Sequence, residues 1–472
     1  MKNEIKVIAA SCQTSDGCHA NQQVIHAKQV SGFFRTLKSA TQAAIWLPFF
    51  VLPYLRWNGK QAVLLDIDHS QFHFFNLSIF PDDIWMLSFA LLIAAMVLFA
   101  TTAIASRVWC GYFCFQTTWT DWFVWIEAKI EGNPTARRKL DAAPWNWDKS
   151  IKKLTKHALW LGVALLTAIS FSIWFVDAFE YWHRLLHLQL PKAGWITLAV
   201  IVSGTYLYAG LMREQVCVWM CPYARFQSVM VDTQTIMPTY DRQRGEPRGK
   251  LRKGETTHGA CIDCFQCVQV CPTGIDIRQG SQLGCITCGL CIDACDGIMD
   301  KIGQPRGLIR YASSIKMTEK PVKKQYQQTR VWVYCSLILI AIASLMIGVS
   351  HISPLTLSVT PERQPLFVRM SDGSIQNKYA LKLTNKTRQD IHVKVSVQTQ
   401  INGFVVIGAE QPTLISHEHG TFLTVFVKVP SANITQATLP LRFKVEAIED
   451  ANISTGALTF FQAPSNVNGL ND

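Results

Sequence analysis

The chain has 472 residues, 49% of them hydrophobic and only 17% charged. The low charge suits a polytopic membrane protein with room for one or two soluble domains better than a purely soluble protein. A formal net charge of +12 could suggest nucleic acid, but no nucleic-acid partner is expected, because a basic balance in a membrane protein reflects orientation.

Residues 1–38 are polar with no clear period and read as a cytoplasmic tail that ends in a basic segment, Lys28 to Lys38. The start, MKNEIKVIAA, lacks an h-region and a cleavage site, so no secretory signal peptide is expected. Cys12 and Cys18 lie in this tail beside His19 and read as unligated, since metal sites usually need three or four ligands. Five uncharged stretches follow, roughly 39–55, 84–106, 158–176, 193–212 and 331–349, against the about 17 to 25 residues that cross a bilayer. The first, interrupted by Pro48 and Pro53, is the weakest. A membrane domain of four transmembrane helices is thus expected over 39–212, and a fifth helix over 331–350.

Charge orients these spans. The segment 107–157 holds nine Arg and Lys residues from Arg107 to Lys156, and 213–330 is also rich in both. By contrast, 57–83 carries Asp66, Asp68, Asp82 and Asp83 against Lys60, and 178–192 has only Arg184 and Lys192 as basic residues. Short basic loops stay in the cytoplasm, so the amino terminus, 107–157 and 213–330 are expected inside and residues after about 350 outside. All fifteen cysteines then fall in cytoplasmic segments or at cytoplasmic helix ends, which argues for reduced thiols and metal ligation.

A weak internal duplication is expected in the membrane part: one helix pair ends in CGYFC (110–114) and another in CVWMC (217–221). The stretch FQTTWTDWFVWIEAKI after the first pair reads as a surface-lying amphipathic helix. Cys217 and Cys221, at i and i+4 and halted by Pro222, can converge on one soft ion or redox centre. Cys110 and Cys114 at the matching place make a four-thiolate soft-metal site the favoured reading over cysteines packing as small hydrophobes.

The strongest signal is CIDCFQCVQVCP (261–272) followed by CITCGLCIDACD (285–296), each with the Cys-x2-Cys-x2-Cys-x3-Cys spacing of two-cluster ferredoxins. By that pattern Cys261, Cys264, Cys267 and Cys295 hold one 4Fe–4S cluster, and Cys285, Cys288, Cys291 and Cys271 hold the second. The alternative, zinc, usually spaces two Cys-x2-Cys hooks more widely. The expected cytoplasmic domain over 213–330 is therefore an inserted α+β ferredoxin-like fold with two clusters. It shows no flavin or nicotinamide fingerprint, so a separate cytoplasmic electron donor is implied. No Cys-x2-Cys-His is present, and the histidines lie outside the apolar helix centres, which disfavours haem. His183 and His187 share a helical face in YWHRLLH and read as interfacial residues beside an aromatic belt; His69 and His73 are equivocal.

After the last span, period-two segments such as Tyr379-Leu381-Leu383, Ile391-Val393-Val395-Val397 and Leu441-Phe443-Val445-Ala447 predict antiparallel strands. Residues 354–465 are expected to form an external all-β, immunoglobulin-like sandwich without a disulfide, a docking module rather than a catalytic one.

Over most of its length the sequence resembles the FixG/CcoG family of accessory proteins for cbb-type cytochrome c oxidase. RVWCGYFC, REQVCVWMCPYARFQ, GEPRGK, both cysteine runs, GQPRGLIRY and PLFVRMSDGSIQNKY all look like family segments in family order. The resemblance implies a bacterial inner-membrane protein that reduces Cu(II) to Cu(I), with copper as substrate, in copper delivery to the oxidase. Its membrane cysteine motifs fall on Cys110, Cys114, Cys217 and Cys221, and its cluster ligands on the eight cysteines named above. Phe115 stands where the family commonly has proline, so the helix there is free to continue and the two pairs need not be equivalent. Partners implied are oxidase subunits or copper chaperones, with a homo-oligomer possible. The alternatives are a non-enzymatic docking factor and an electron conduit to quinone.

Overall fold

The computed structural model describes residues 27–464 except 68–70, 76, 233, 251–257, 281, 283, 314–327, 352, 387–388, 400–401, 417–419 and 451–452. Cys12 and Cys18 lie outside the described residues. The chain divides into two compact units between Ala343 and Ser344.

In the first unit, helix α1 (Phe33–Val51) leads to a short pair, β1 (Arg56–Trp57) and β2 (Lys60–Gln61). A three-stranded antiparallel sheet follows, β3 (Val63–Asp66), β4 (Gln71–Phe74) and β5 (Leu77–Ile79). Then come α2 (Trp85–Ala105), α3 (Val108–Tyr112), α4 (Phe115–Ile130), α5 (Pro134–Ala142), α6 (Trp147–Ser172), α7 (Ala178–Leu186) and α8 (Lys192–Thr205). α8 runs on as a π-helix, Tyr206–Met212, and a second π-helical turn spans Val216–Met220 before α9 (Pro222–Met230). The cysteine-rich part is small: β6 (Met237–Tyr240) pairs antiparallel with β7 (Ile309–Ala312), and between them lie α10 (Arg242–Gly245), α11 (Gln266–Gln269) and α12 (Leu290–Lys301). Helix α13 (Thr329–Ser350) crosses the unit boundary.

Among the described residues four helices are long and apolar enough to cross a membrane: α2, α6, α8 with its π-helical continuation, and α13. The expected first span, 39–55, is not among them: residues 39–51 belong to α1, which starts earlier, at Phe33, and buries Lys38 and Gln42. Lys38 Nζ meets Asp121 Oδ2 on α4 at 2.8 Å.

The reading of FQTTWTDWFVWIEAKI as a surface-lying helix is also corrected. It forms α4, and Trp119 and Phe123 are fully buried there. Trp119 Nε1 donates to Thr167 Oγ1 on α6 at 2.6 Å, and the Phe123 ring stacks 5.1 Å from Trp160. Two apolar rings four residues apart share one helix face, and that face is covered by α6. On the far side of the spans Gln61 is buried and ties the β1–β2 pair to the end of α6, donating to Val63 O and Ile173 O and accepting from Ala178 N.

The second unit contains two antiparallel sheets. One has the order β12 (Val405–Ile407), β14 (Gly420–Val429), β10 (Ile375–Asn385), β8 (Leu355–Pro361), with β9 (Val368–Arg369) also on β10. The other runs β13 (Thr413–Ile415), β11 (Ile391–Thr399), β15 (Thr438–Ala447), β16 (Ser454–Gln462). The period-two apolar positions point inward from both sheets: Tyr379, Leu381, Leu383, Val393, Val425 and Phe443 are fully buried in one core.

Candidate metal centres

The two cysteine runs share one backbone design. In each, the third and fifth residues are left-handed: Asp263 and Phe265 at φ 56°, Thr287 at 57° and Gly289 at 74°. For L residues this conformation is uncommon, and for a β-branched one such as Thr287 it is an outlier, held at a cost of about 1–3 kcal/mol each. Its recurrence at matching positions indicates loops bent around an object of one shape.

Two cavities open inside those loops. One, about 360 Å³ including space open to solvent, is lined by Cys261, Cys264, Cys267 and Cys295 with apolar walls from Ile298, Met299 and Leu308. The second, about 350 Å³ on the same measure, is lined by Cys271, Cys285, Cys288 and Cys291, with Cys267 shared between the two. Each cavity takes three cysteines from one run and a fourth, Cys295 or Cys271, from the other. Four thiols around an apolar space, on loops curled the same way, fit a 4Fe–4S cluster in each cavity. Burial pushes the thiols of Cys267, Cys285 and Cys295 up to about 12 and that of Cys288 to about 11. A thiol so placed stays protonated in water and loses its proton to solvent only when a metal takes the sulfur. Arg278 closes the first cavity, its guanidinium 3.9 Å over the Phe265 ring and paired with Asp276 and Asp263.

The CGYFC and CVWMC motifs repeat a backbone pattern as well. Four residues before each first cysteine the chain turns left-handed, at Ser106 (φ 51°, ψ −126°) and Arg213 (φ 44°, ψ −113°). Each second cysteine is extended, Cys114 at φ −65°, ψ 132° and Cys221 at φ −73°, ψ 114°, and a new helix starts directly after it. The helix therefore does not continue through Cys114, although Phe115 stands where the second motif has Pro222. The expected α-helical i, i+4 geometry of Cys217 and Cys221 is replaced by a π turn in which Cys221 N–H bonds Val216 O. Pro222 imposes the extended conformation on the residue before it.

The two motifs face one region. Cys110 is buried and the other three thiols are half-buried. Burial first, then the neighbouring Cys114, Cys217 and Cys221, raise the Cys110 thiol well above its ordinary range, with Arg107 opposing. Burial, Cys114 and Cys221 push Cys217 up to about 12. Cys110 Sγ donates to Gln227 Oε1 at 3.3 Å, and the fully buried Gln227 in turn donates to Thr102 Oγ1. Among the described residues no three His, Cys, Asp or Glu side chains close tightly enough to hold a single metal ion, so these four thiols surround a region rather than form a finished site. His183 and His187 are exposed at the opposite ends of the spans, their rings 4.5 Å apart.

Sequence reasoning missed two elements of this neighbourhood. Gln227, inside YARFQ, is a polar residue with no periodicity to mark it. The other is a buried ion network: Glu127 is held by Arg213 (2.6 Å) and Arg137 (3.1 Å), and Glu131 by Lys153 (2.9 Å) and Lys156 (3.0 Å). Burial raises the Glu127 carboxyl, but Arg213, together with Lys156 and Arg137, more than offsets that and holds it below the usual carboxylate range. Several of the basic residues read as orientation signals thus also fasten α4, α5 and α6 together.

Four membrane-length helices joined to a pair of cysteine-lined cavities define a membrane iron–sulfur electron-transfer protein. Residues 212–314 match the profile of a 4Fe-4S dicluster domain, 87–134 that of a 4Fe-4S binding domain, and 345–464 the Ig-like fold at the C-terminus of FixG. Protein RdxA of Cereibacter sphaeroides is 41% identical over 81% of this chain and 84% of its own. Nitrogen fixation protein FixG of Rhizobium meliloti is 34% identical over 89% of each. The chain belongs to the FixG family. A solved FixG-related protein from Vibrio parahaemolyticus matches 24% of this chain and 97% of its own at 20% identity and a TM-score of 0.22.

Proposed function

We propose that the protein is a cupric reductase of the bacterial inner membrane that supplies Cu(I) during assembly of a cbb-type cytochrome c oxidase. The observation that carries this reading is the approach of the Cys110–Cys114 motif to the loop between Cys285 and Cys288, where Arg107 N donates to Thr287 Oγ1 and Tyr112 Oη to Cys288 O. In this reading 213–330 is a cytoplasmic ferredoxin-like domain. Cys261, Cys264, Cys267 and Cys295 hold one 4Fe–4S cluster there, and Cys285, Cys288, Cys291 and Cys271 the other. Bound so, the clusters supply one-electron storage and relay.

The chain's own residues do the rest. Cys110, Cys114, Cys217 and Cys221 offer soft sulfur donors, which stabilise Cu(I) over Cu(II) and so favour reduction of the substrate ion. Gln227 fixes the direction of the Cys110 S–H. Gain of one electron by Cu(II) moves no proton, so no general acid or base is needed. Electrons come from a separate cytoplasmic donor.

The test is anaerobic Cu(II) reduction followed with a Cu(I)-specific chelator. Cys217→Ser with Cys221→Ser should abolish reduction while cluster absorbance stays intact; unchanged turnover refutes the assigned acceptor site. Iron analysis should return about eight atoms per chain for two 4Fe–4S clusters, and about twelve would assign the juxtamembrane thiols to iron instead.

A second reading has its own support, the separately folded sandwich: a docking factor that engages oxidase subunits or a copper chaperone outside the membrane. Deleting 354–472 separates the two readings, because docking would then fail while reduction survives.

A further inference from the structure

The juxtamembrane motif and the second cysteine run touch backbone to backbone, and the residue at the contact has no side chain. A Cβ built on Gly111 would lie 2.6 Å from Ile286 O, 3.1 Å from Cys288 Cα and 3.2 Å from Cys288 N. All three are main-chain atoms of the loop between Cys285 and Cys288 and cannot swing aside as a side-chain tip would. The contact is pinned around its rim. Arg107 N donates to Thr287 Oγ1 (3.2 Å), Tyr112 Oη to Cys288 O (3.1 Å) and Tyr311 Oη to Thr287 O (2.6 Å). Cys110 itself packs in one apolar cluster with Val270, Ile286, Cys288 and Leu290.

The other half of the repeat has a different residue at this place. Gly111 follows the first cysteine of its motif, and the residue following Cys217 is Val218. Trp219 and Met220 beside it are 64% and 49% exposed. The first run is turned another way, with Cys264 exposed and Phe265 46% exposed.

We infer that Gly111 is a positioning residue for electron exit: by lacking a side chain it seats the Cys285–Cys288 loop on the Cys110–Cys114 motif, making that loop the one through which charge leaves toward the thiols. This rests on the proposed function for the identity of the acceptor. One electron leaves the cysteine-held centre for one Cu(II), which becomes Cu(I); no bond forms or breaks and no proton moves. The first run, with its exposed Cys264–Phe265 edge, is the face that receives electrons from the cytoplasmic donor. Transfer rates fall steeply with each added ångström, and Ala at 111 must push the two backbones apart by a few tenths of an ångström or more.

The experiment uses the full chain in nanodiscs, with clusters reduced by dithionite and mixed anaerobically with Cu(II), and follows reoxidation by absorbance. Gly111→Ala should retain full iron content and be reoxidised by ferricyanide, which reacts at the exposed edge, at the wild-type rate. Its reoxidation by Cu(II) should slow about tenfold or more, the scale on which sub-ångström to ångström misplacement acts. Tyr112→Phe, which removes the hydroxyl's bonds to Cys288 O and Tyr311 Oη and no bulk, should slow the Cu(II) reaction less and also spare the ferricyanide reaction; it decides the matter should Gly111→Ala not assemble. Wild-type Cu(II) rates in an iron-replete Gly111→Ala protein, or in Tyr112→Phe if that is the one that assembles, overturn the inference. Wild-type protein that Cu(II) fails to oxidise sinks the copper reading instead. The contact is then read by paramagnetic resonance, where Gly111→Ala should alter one of two cluster signals, and two unaltered signals overturn it.

Discussion

The ion pair that fastens α1 to α4 yields a quantitative prediction. Lys38 is fully buried and Asp121 is 14% exposed, with Nζ 2.8 Å from Oδ2; Arg35 approaches the same oxygen at 3.2 Å, and Gln42 donates to it at 3.4 Å. Burial alone would raise the Asp121 carboxyl, but Lys38 and Arg35 outweigh it and hold the group below its ordinary value. A depressed folded value means that the carboxylate's contribution is complete above the ordinary carboxylate range and is lost only as pH falls through the folded value. At neutral pH it is fully present. Asp121→Asn leaves the Lys38 ammonium sealed from water with no counter-charge, at a cost of about 3–5 kcal/mol. At about 2–4 °C per kcal/mol for a domain of some 150–250 residues, the unfolding midpoint should drop by roughly 10 °C. The double variant Lys38→Met with Asp121→Leu removes both charges and should recover most of that loss, since replacing a buried pair by apolar groups is often neutral. Thermal unfolding in nanodiscs, read by tryptophan fluorescence, measures all three proteins. Asp121→Asn within about 1 kcal/mol of wild type, or a double variant as unstable as the single, would show that the pair is not shielded from solvent as the geometry requires.

Other outcomes follow from the same packing. Asp293, on the helix that carries Cys291 and Cys295, accepts from Phe34 N (3.1 Å) and Arg35 N (2.8 Å) at the start of α1. Asp293→Ala should cost about 1–2 kcal/mol, as loss of a helix cap does, and hydrogen exchange should localise the loosening to the first turn of α1. Phe443, fully buried between the sheets, should cost about 3–5 kcal/mol on truncation to Ala. That loss belongs to the transition of the second unit, and the iron signals should not change. Stripping iron with a chelator under oxidising conditions should lower exchange protection at 285–301 and also at 107–112, because Arg107 and Tyr112 are bonded to the Thr287–Cys288 turn. Protection should hold in the sandwich, and if 107–112 stays fully protected the two segments are not coupled through that contact.

What could be read from the sequence depended on whether the signal was periodic or spaced. The sandwich was legible because alternation along Tyr379-Leu381-Leu383 and Leu441-Phe443-Val445 reports directly which side of a strand is buried, and those residues are the observed core. The Cys-x2-Cys-x2-Cys-x3-Cys spacing likewise fixed where the cavities would form. The misreadings came where tertiary contact overrides local pattern. Residues 39–55 read as a span when counted alone, and no sequence window shows that Lys38, on the same helix, is buried against Asp121, 83 positions away. In the same way α4 carries few aliphatic residues, and what buries it is aromatic stacking of Trp119 and Phe123 against α6 rather than an aliphatic stripe. Gly111 is invisible for a further reason: nothing local requires a glycine there, and only the opposing loop does.

The repeated motifs show how one backbone pattern can serve two tasks. Both turn left-handed four residues before the first cysteine and extend at the second, so the geometry that presents the thiols survives the slight sequence identity between the halves. What differs is the face behind them. In the first half Cys110 is buried, its S–H is directed to Gln227, and Gly111 admits the backbone of the second cysteine run. In the second half the corresponding Val218 is followed by exposed Trp219 and Met220, and Arg213 at its left-handed turn is committed to Glu127. One motif is thus tied to the cysteine-rich domain and the other to α4, with their thiols facing a common region. Under the proposed function a symmetric four-thiol site would have no preferred side from which to receive an electron, and this asymmetry supplies one. It also orders the two pairs functionally. Under the proposed function, replacing Cys110 should disturb contact with the second cysteine run as well as Cu(II) reduction, whereas replacing Cys217 should disturb Cu(II) reduction alone.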